Sequence, residues 1–107
     1  MPFRFTPTAI PDILVIEPRV FPDQRGFFME TYQGTEFATQ GISESFVQCN
    51  QSRSACGTLR GLHYQKNPRS QGKLVGAVAG EIYDVVVDAG QGSPSYGKWG
   101  AGVVTAE

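Results

Sequence analysis

Residues 81–88 read EIYDVVVD, a run whose side chains alternate between the two sides of an extended chain. In a β-strand this alternation would place Ile82 and Asp84 on one face and Tyr83 and Val85 on the other. Both faces are partly apolar, which is typical of a strand that is covered on both sides. We therefore expect Asp84 to be partly buried and to need a partner, either as a structural carboxylate or as part of a site.

The rest of the chain is divided into similar short apolar segments. Seven Pro and thirteen Gly residues are spread along the 107 residues and separate them. Such segments are residues 13–16, 27–32, 45–52, 73–80 and 100–106. Regular punctuation of this kind predicts an all-β sandwich or barrel. One short helix is predicted near residues 35–41, with Thr35 as its N-cap and Gly41 as its stop signal.

Length and composition restrict the functions to consider. A chain of 107 residues is long enough for a single domain, so we expect residues 1–107 to form one unit with one site. A net charge of -1 argues against binding to nucleic acid or membrane surfaces through bulk charge. Cys49 and Cys56 lack the spacing of a zinc site and are expected to be reduced and structural. The N-terminus has no apolar signal segment, and we expect a cytoplasmic protein.

Positive charge is concentrated in the middle of the chain. Residues 45–80 contain no Asp or Glu but include five cations: Arg53, Arg60, Lys66, Arg69 and Lys73. This distribution is consistent either with a solvated surface or with an anion-binding site.

The same region contains the single histidine. Residues 58–65, TLRGLHYQ, would as a regular strand direct Arg60 and His63 to opposite faces. Gly61 is a position where an interruption of the pleat would let them share a cavity. A lone histidine is commonly structural, but nearby cations favour its neutral form, which can act as a base. Lys73 lies close enough in sequence to stabilise a developing oxyanion.

Three stretches together carry a resemblance to a known family. They are residues 18–32, PRVFPDQRGFFMETY; residues 46–65, FVQCNQSRSACGTLRGLHYQ; and residues 71–100, QGKLVGAVAGEIYDVVVDAGQGSPSYGKWG. In this order they resemble the dTDP-4-dehydrorhamnose 3,5-epimerase family of RmlC-type cupins, from about residue 10 to residue 107. The resemblance implies a cupin-type jelly-roll barrel, incomplete in this chain, and a homodimer. It also implies cofactor-free epimerisation at C3 and C5 of dTDP-4-keto-6-deoxy-D-glucose.

The resemblance assigns roles to individual residues. His63 corresponds to the proton-abstracting base, Lys73 to a residue that contacts the sugar and stabilises the enolate, and Arg60 to a substrate-binding arginine. Arg25 and Glu30 correspond to nucleotide contacts, the first suited to the diphosphate. The remaining candidates are Phe27 against the thymine ring, Gln48 and Asn50 as a polar pair beside the ligand, and Asp84 as a support for the base. One histidine is too few for the metal sites of other cupins, so no metal and no cofactor are expected.

The resemblance also indicates what these residues do not supply. The family's general-acid tyrosine and the aspartate that orients the base are expected beyond residue 107, and residues 100–106 would form a strand with an open edge. The 107 residues alone are therefore expected to be inactive unless another chain supplies the rest. Two alternatives remain open: a catalytically silent nucleotide-sugar-binding cupin, and an enzyme that epimerises only C3 or only C5.

Overall fold

The computed structural model describes residues 3–63, 72–89 and 92–106. Its elements, in chain order, are β1 (Phe3–Pro7), β2 (Leu14–Pro18), β3 (Val20–Asp23), β4 (Gly26–Met29), α1 (Gly34–Thr39), β5 (Glu81–Val87) and β6 (Trp99–Thr105). Within the described ranges the strands form three antiparallel pairs: β1 with β2, β3 with β4, and β5 with β6. An all-β structure with one short helix is therefore confirmed.

The alternating run at residues 81–88 does form a strand. β5 pairs antiparallel with β6, so that Tyr83 lies opposite Val103 and Val87 opposite Trp99. β6 covers most of the strand predicted at residues 100–106. Asp84 is half-buried in this hairpin, as expected from the two partly apolar faces of β5.

The helix begins earlier than predicted. α1 spans Gly34–Thr39, and its N-cap is Gln33, whose Oε1 accepts a hydrogen bond from the backbone N–H of Glu36 at 2.8 Å. The assignment of Thr35 as N-cap was wrong, because Thr35 already lies in the first turn and the amide oxygen of Gln33 reaches the N–H that a cap must satisfy. The stop signal was correct: Gly41 has a φ of +89°, a conformation that favours glycine at a helix end.

An aromatic cluster joins the helix to the first hairpin. Phe37 of α1 is fully buried, and its ring packs edge-on against Phe3, Phe5 and Tyr32, with centroid separations of 5.1, 5.3 and 4.8 Å. Edge-to-face packing places the positive rim of one ring on the negative face of another. These contacts fix β1 and α1 against each other at the N-terminal end of the chain.

Several apolar segments predicted as strands are not strands in the described structure. Residues 45–52, 58–63 and 73–80 form no strand, and Val47, Leu59 and Val78 in these segments are 93%, 91% and 79% exposed. A strand forms only where a neighbouring strand accepts its backbone hydrogen bonds. In the described ranges each strand pairs only within its own hairpin, so no strand edge takes up these segments.

Cys49 and Cys56 are free thiols, as expected, but both are exposed rather than buried in a core. No helix within residues 3–63, 72–89 and 92–106 has the length and apolar character needed to cross a membrane.

Candidate active site

The β3–β4 hairpin presents two of the predicted nucleotide contacts together. Asp23 pairs with Gly26, so residues 24 and 25 form a two-residue turn. Arg25 on the turn and Phe27 on β4 line an open cleft of about 250 Å³ together with Asp23 and Phe28. A guanidinium beside aromatic rings provides both a partner for phosphate oxygens and an apolar surface for a pyrimidine ring.

Asp23 determines the geometry of Arg25. Its Oδ2 lies 2.8 Å from Nη2 of Arg25, and its Oδ1 accepts the backbone N–H of Arg25, also at 2.8 Å. These two contacts, first the guanidinium and then the backbone N–H, hold the pKa of the Asp23 carboxyl below its usual value. Asp23 is therefore ionised at neutral pH, and the ion pair persists there.

A second groove lies beside the first and shares its aromatic wall. Its lining residues come from β4 and the residues just after it, from the segment after Lys73 and from the residue that follows β6: Phe27, Phe28, Met29, Thr31, Ala77, Val78 and Ala106. Glu30 directly follows β4 and is half-buried. The groove therefore lies between the hairpin that carries the predicted nucleotide contacts and the segment that follows Lys73, the predicted enolate stabiliser.

The predicted polar pair forms a direct contact. Nε2 of Gln48 donates a hydrogen bond to Oδ1 of Asn50 at 3.2 Å, and both side chains are exposed. The contact requires the two side chains to project to the same side of the chain, as a shared pocket would need. Each amide keeps further donors and acceptors that this one bond does not use.

Arg60 is held by a residue that was not predicted. Its Nε donates a hydrogen bond to Oγ of Ser54 at 2.9 Å. The two residues are six positions apart, so the bond closes the loop that contains Gly57, which has a φ of +87°. Arg60 itself is exposed, and its terminal nitrogens have no partner among the described residues.

His63 lies close to Gly61. A Cβ built on Gly61 would be 3.8 Å from Nδ1 of His63, and Gly61 has a φ of +113°. Within residues 58–63 the regular alternation is therefore interrupted at Gly61, the position at which the sequence allowed an interruption. Arg60 and His63 therefore do not have to lie on opposite faces of a regular strand.

The structure does not join the remaining catalytic candidates by direct contacts. His63 and Lys73 are exposed, Asp84 is half-buried, and among the described residues no hydrogen bond or ion pair links any two of them. Tyr64, Lys66 and Arg69 lie outside the described residues. In the described ranges no group of three or more His, Cys, Asp or Glu side chains is arranged to hold a metal ion.

Three residues beside the predicted candidates were not predicted: Asp23 and Phe28, which line the first cleft, and Ser54, which binds Arg60. A signal existed for Asp23, because Asp-Gln-Arg-Gly between two apolar runs is typical of a tight turn, and an aspartate before such a turn accepts backbone hydrogen bonds. Ser54 had no such signal, because its bond to Arg60 depends on how the intervening loop folds.

Comparison with known proteins identifies the family. The family model for dTDP-4-dehydrorhamnose 3,5-epimerase matches residues 7–107. The chain belongs to the dTDP-4-dehydrorhamnose 3,5-epimerase family. The Shigella flexneri member is 54% identical over 93 residues, which are 86% of this chain and 51% of that protein. The chain thus spans about half the length of the curated relatives that it matches.

Solved structures of the family share the fold. The Bacillus anthracis epimerase, crystallised with TDP and PPi bound, has a TM-score of 0.92 and 45% identity, covering 97% of this chain and 60% of its own. The Legionella pneumophila epimerase in complex with dTDP-4-keto-L-rhamnose has a TM-score of 0.91 and 44% identity, covering 97% of this chain and 55% of its own. These matches confirm the predicted cupin-type jelly roll.

Proposed function

We propose that this chain is the N-terminal part of an enzyme that converts dTDP-4-keto-6-deoxy-D-glucose to dTDP-4-keto-L-rhamnose by inverting C3 and C5. The observation that carries the proposal is the close match to the L. pneumophila epimerase, whose structure contains dTDP-4-keto-L-rhamnose. Residues 1–107 would form one unit of the jelly roll. The protein would act in the cytoplasm as a homodimer.

The chemistry requires a base, an enolate stabiliser and an acid. The C4 ketone acidifies the protons on C3 and C5, so His63 in the neutral form removes one of them, and the electron pair moves to the C4 oxygen. Lys73 supplies positive charge to that oxygen. Reprotonation from the opposite face by an acid outside this chain restores the ketone with inverted configuration. Electrons and atoms balance without an electron acceptor, because the product is an isomer of the substrate.

Substrate recognition would use the two clefts and the central cations. Arg25 at the hairpin turn and Arg60 in the central loop carry the charge that a diphosphate needs. Phe27 offers an apolar surface for the thymine ring, and Glu30 a carboxylate for the base. Gln48 and Asn50 contribute amide donors and acceptors beside the ligand, and Asp84 is our candidate for a carboxylate that supports the base. The concentration of positive charge in residues 45–80 is then explained by the anionic substrate and the developing enolate.

The test is solvent exchange on the full-length protein. The sugar nucleotide is incubated in D₂O with enzyme, and deuterium at each sugar carbon is followed by NMR. Exchange at both C3 and C5 is the expected result. Exchange at one carbon would indicate an epimerase of narrower action, and dTDP binding without exchange would indicate a silent binding domain. Either of these results would overturn the proposal.

A further inference from the structure

The turn between β3 and β4 contains more hydrogen bonding than the turn itself needs. Oδ1 of Asp23 accepts the backbone N–H of Arg25 at 2.8 Å, which is the usual way in which an aspartate stabilises a tight turn. Oδ2 of the same carboxylate contacts Nη2 of Arg25 at 2.8 Å. This second contact does nothing for the backbone. Its effect is to hold the arginine side chain.

The held side chain is otherwise unrestrained. The side chain of Arg25 is 90% exposed and that of Asp23 is 48% exposed, so packing does not select an arginine rotamer. Within the described ranges Nε and Nη1 of Arg25 have no other partner. The carboxylate binds one nitrogen of the guanidinium and leaves the other two available to a ligand, and Arg25 lines the same cleft as Phe27 and Phe28.

We propose that Asp23 is a positioning residue for Arg25, which it holds at the cleft so that the remaining guanidinium nitrogens meet the diphosphate of a thymidine nucleotide. This inference rests on the proposed function, because it takes the ligand from there. A long side chain that is ordered before binding loses less conformational entropy when the ligand arrives. Ordering one such side chain is worth roughly threefold to tenfold in affinity.

A second effect of Asp23 acts in the opposite direction. Its negative charge lies near the phosphates and repels them, but at an exposed position this repulsion is screened by salt. We therefore expect the ordering of Arg25 to outweigh the repulsion at physiological ionic strength. Removing the charge of Asp23 while keeping the turn should weaken nucleotide binding, and simple electrostatics would give the opposite result.

The variant Asp23→Asn separates the two functions of the carboxylate. The asparagine Oδ1 still accepts the N–H of Arg25, whereas its amide nitrogen cannot accept a hydrogen bond from Nη2. Asp12→Asn is the matched control, because Asp12 lies exposed in another turn and the substitution changes the net charge equally. Both variants are made in the full-length protein, alone and combined with Arg25→Ala.

The measurement is the affinity for dTDP by calorimetry at 0.15 M salt. Asp23→Asn is expected to weaken dTDP binding about threefold in the native background and to have no effect in the Arg25→Ala background. Asp12→Asn is expected to have no effect in either background. Unchanged or tighter binding by Asp23→Asn would overturn the inference. So would an equal loss in both backgrounds, because that pattern means a structural role.

Thymidine and deuterium exchange keep this inference distinct from the proposed function. Thymidine lacks phosphate, so Asp23→Asn should leave thymidine binding unchanged if Asp23 acts through a phosphate contact of Arg25; an equal loss of thymidine binding would overturn the inference. A wild-type protein that exchanges deuterium into the sugar while Asp23→Asn binds dTDP normally would overturn the inference alone. A wild-type protein that neither exchanges deuterium nor binds dTDP would overturn both.

Discussion

Arg60 donates a hydrogen bond from Nε to Oγ of Ser54, at 2.9 Å. This bond occupies one of the five N–H donors of the guanidinium and orients its plane. The terminal nitrogens have no partner among the described residues. The terminal nitrogens of Arg60 thus form an open fork, which suits two oxygens of one phosphate group.

Replacing Arg60 should reduce nucleotide affinity. A hydrogen bond to a charged group contributes about 1.5–3 kcal/mol, so Arg60→Ala should weaken dTDP binding by roughly 10-fold to 100-fold. Calorimetry at two salt concentrations measures this loss and its ionic-strength dependence. The matched control is Arg53→Ala, because Arg53 is an exposed cation of the same segment with no described partner. Equal losses in the two variants would mean that only the total charge matters.

Replacing His63 should abolish chemistry and preserve binding. Loss of a general base lowers the rate by about 10²–10⁴-fold, so His63→Asn should lower deuterium exchange at C3 and C5 by that factor. Because His63 is exposed, the substitution leaves no buried polar group without a partner, and the melting temperature should stay within about 2 °C of the wild type. Affinity for dTDP is measured on the same sample. Exchange at the wild-type rate would show that another group is the base.

Lys73 should affect the rate more than binding. A group that stabilises charge formed only in the transition state contributes about 10²–10³-fold to the rate, so Lys73→Met should lower kcat by that amount with a small change in KM. Lys98→Met is the control, since Lys98 is an exposed lysine directly before β6 and lines neither cleft. A rise in KM without a change in kcat would assign Lys73 to ground-state binding.

Structural features that depend only on neighbouring residues were predicted from the sequence, whereas features that depend on distant residues were not. The alternation of residues 81–88 predicted β5, because a period of two is a property of the segment itself. The aromatic contact between Phe3 and Phe37 was not predicted, because it joins residues 34 positions apart and depends on how α1 packs on the first hairpin. The same reason explains the apolar segment 45–52: its composition suits a strand, but strand formation depends on a partner that the segment does not specify.

The candidate site also combines features that follow from residues adjacent in sequence with features that depend on how a loop folds. Arg25 and Phe27 line one cleft because they are only two positions apart, on the turn and on β4, and their contacts with a nucleotide stay predictions. The bond from Ser54 to Arg60 was missed, because it depends on the conformation of the loop through Gly57. His63 and Lys73 were assigned by resemblance, and their roles stay predictions that the variants above will test.

The aromatic cluster should dominate the stability of the N-terminal half. Phe37 is fully buried against Phe3, Phe5 and Tyr32, so Phe37→Ala would leave a cavity and lower the free energy of unfolding by about 3–5 kcal/mol. Tyr32→Phe is the control, since it keeps the ring contact and removes only the hydroxyl. Urea denaturation of the full-length protein measures both. A loss below about 1 kcal/mol for Phe37→Ala would show that the cluster is not a core.

The β5–β6 connection should depend on one carboxylate. Oδ2 of Asp88 accepts hydrogen bonds from the hydroxyls of Ser93, at 2.6 Å, and of Ser95, which is 5% exposed. The backbone N–H of Asp88 donates a hydrogen bond to the carbonyl of Lys98, and the carbonyl of Asp88 accepts one from the N–H of Gly97. The Asp88 side chain therefore connects the loop to a strand end that backbone hydrogen bonds already hold together. Asp88→Ala removes this acceptor and leaves the buried hydroxyl of Ser95 with only its longer contact, 3.3 Å, to Oγ of Ser93, at a cost of about 1–3 kcal/mol.

The same urea series tests this expectation. Asp88→Asn keeps one acceptor oxygen and should lose less than half as much free energy of unfolding as Asp88→Ala. Ser95→Ala removes the buried hydroxyl together with its need for an acceptor, so the double variant Asp88→Ala/Ser95→Ala should be less destabilised than the sum of the single variants. Strict additivity would show that the carboxylate stabilises the connection through its other contacts and not through Ser95.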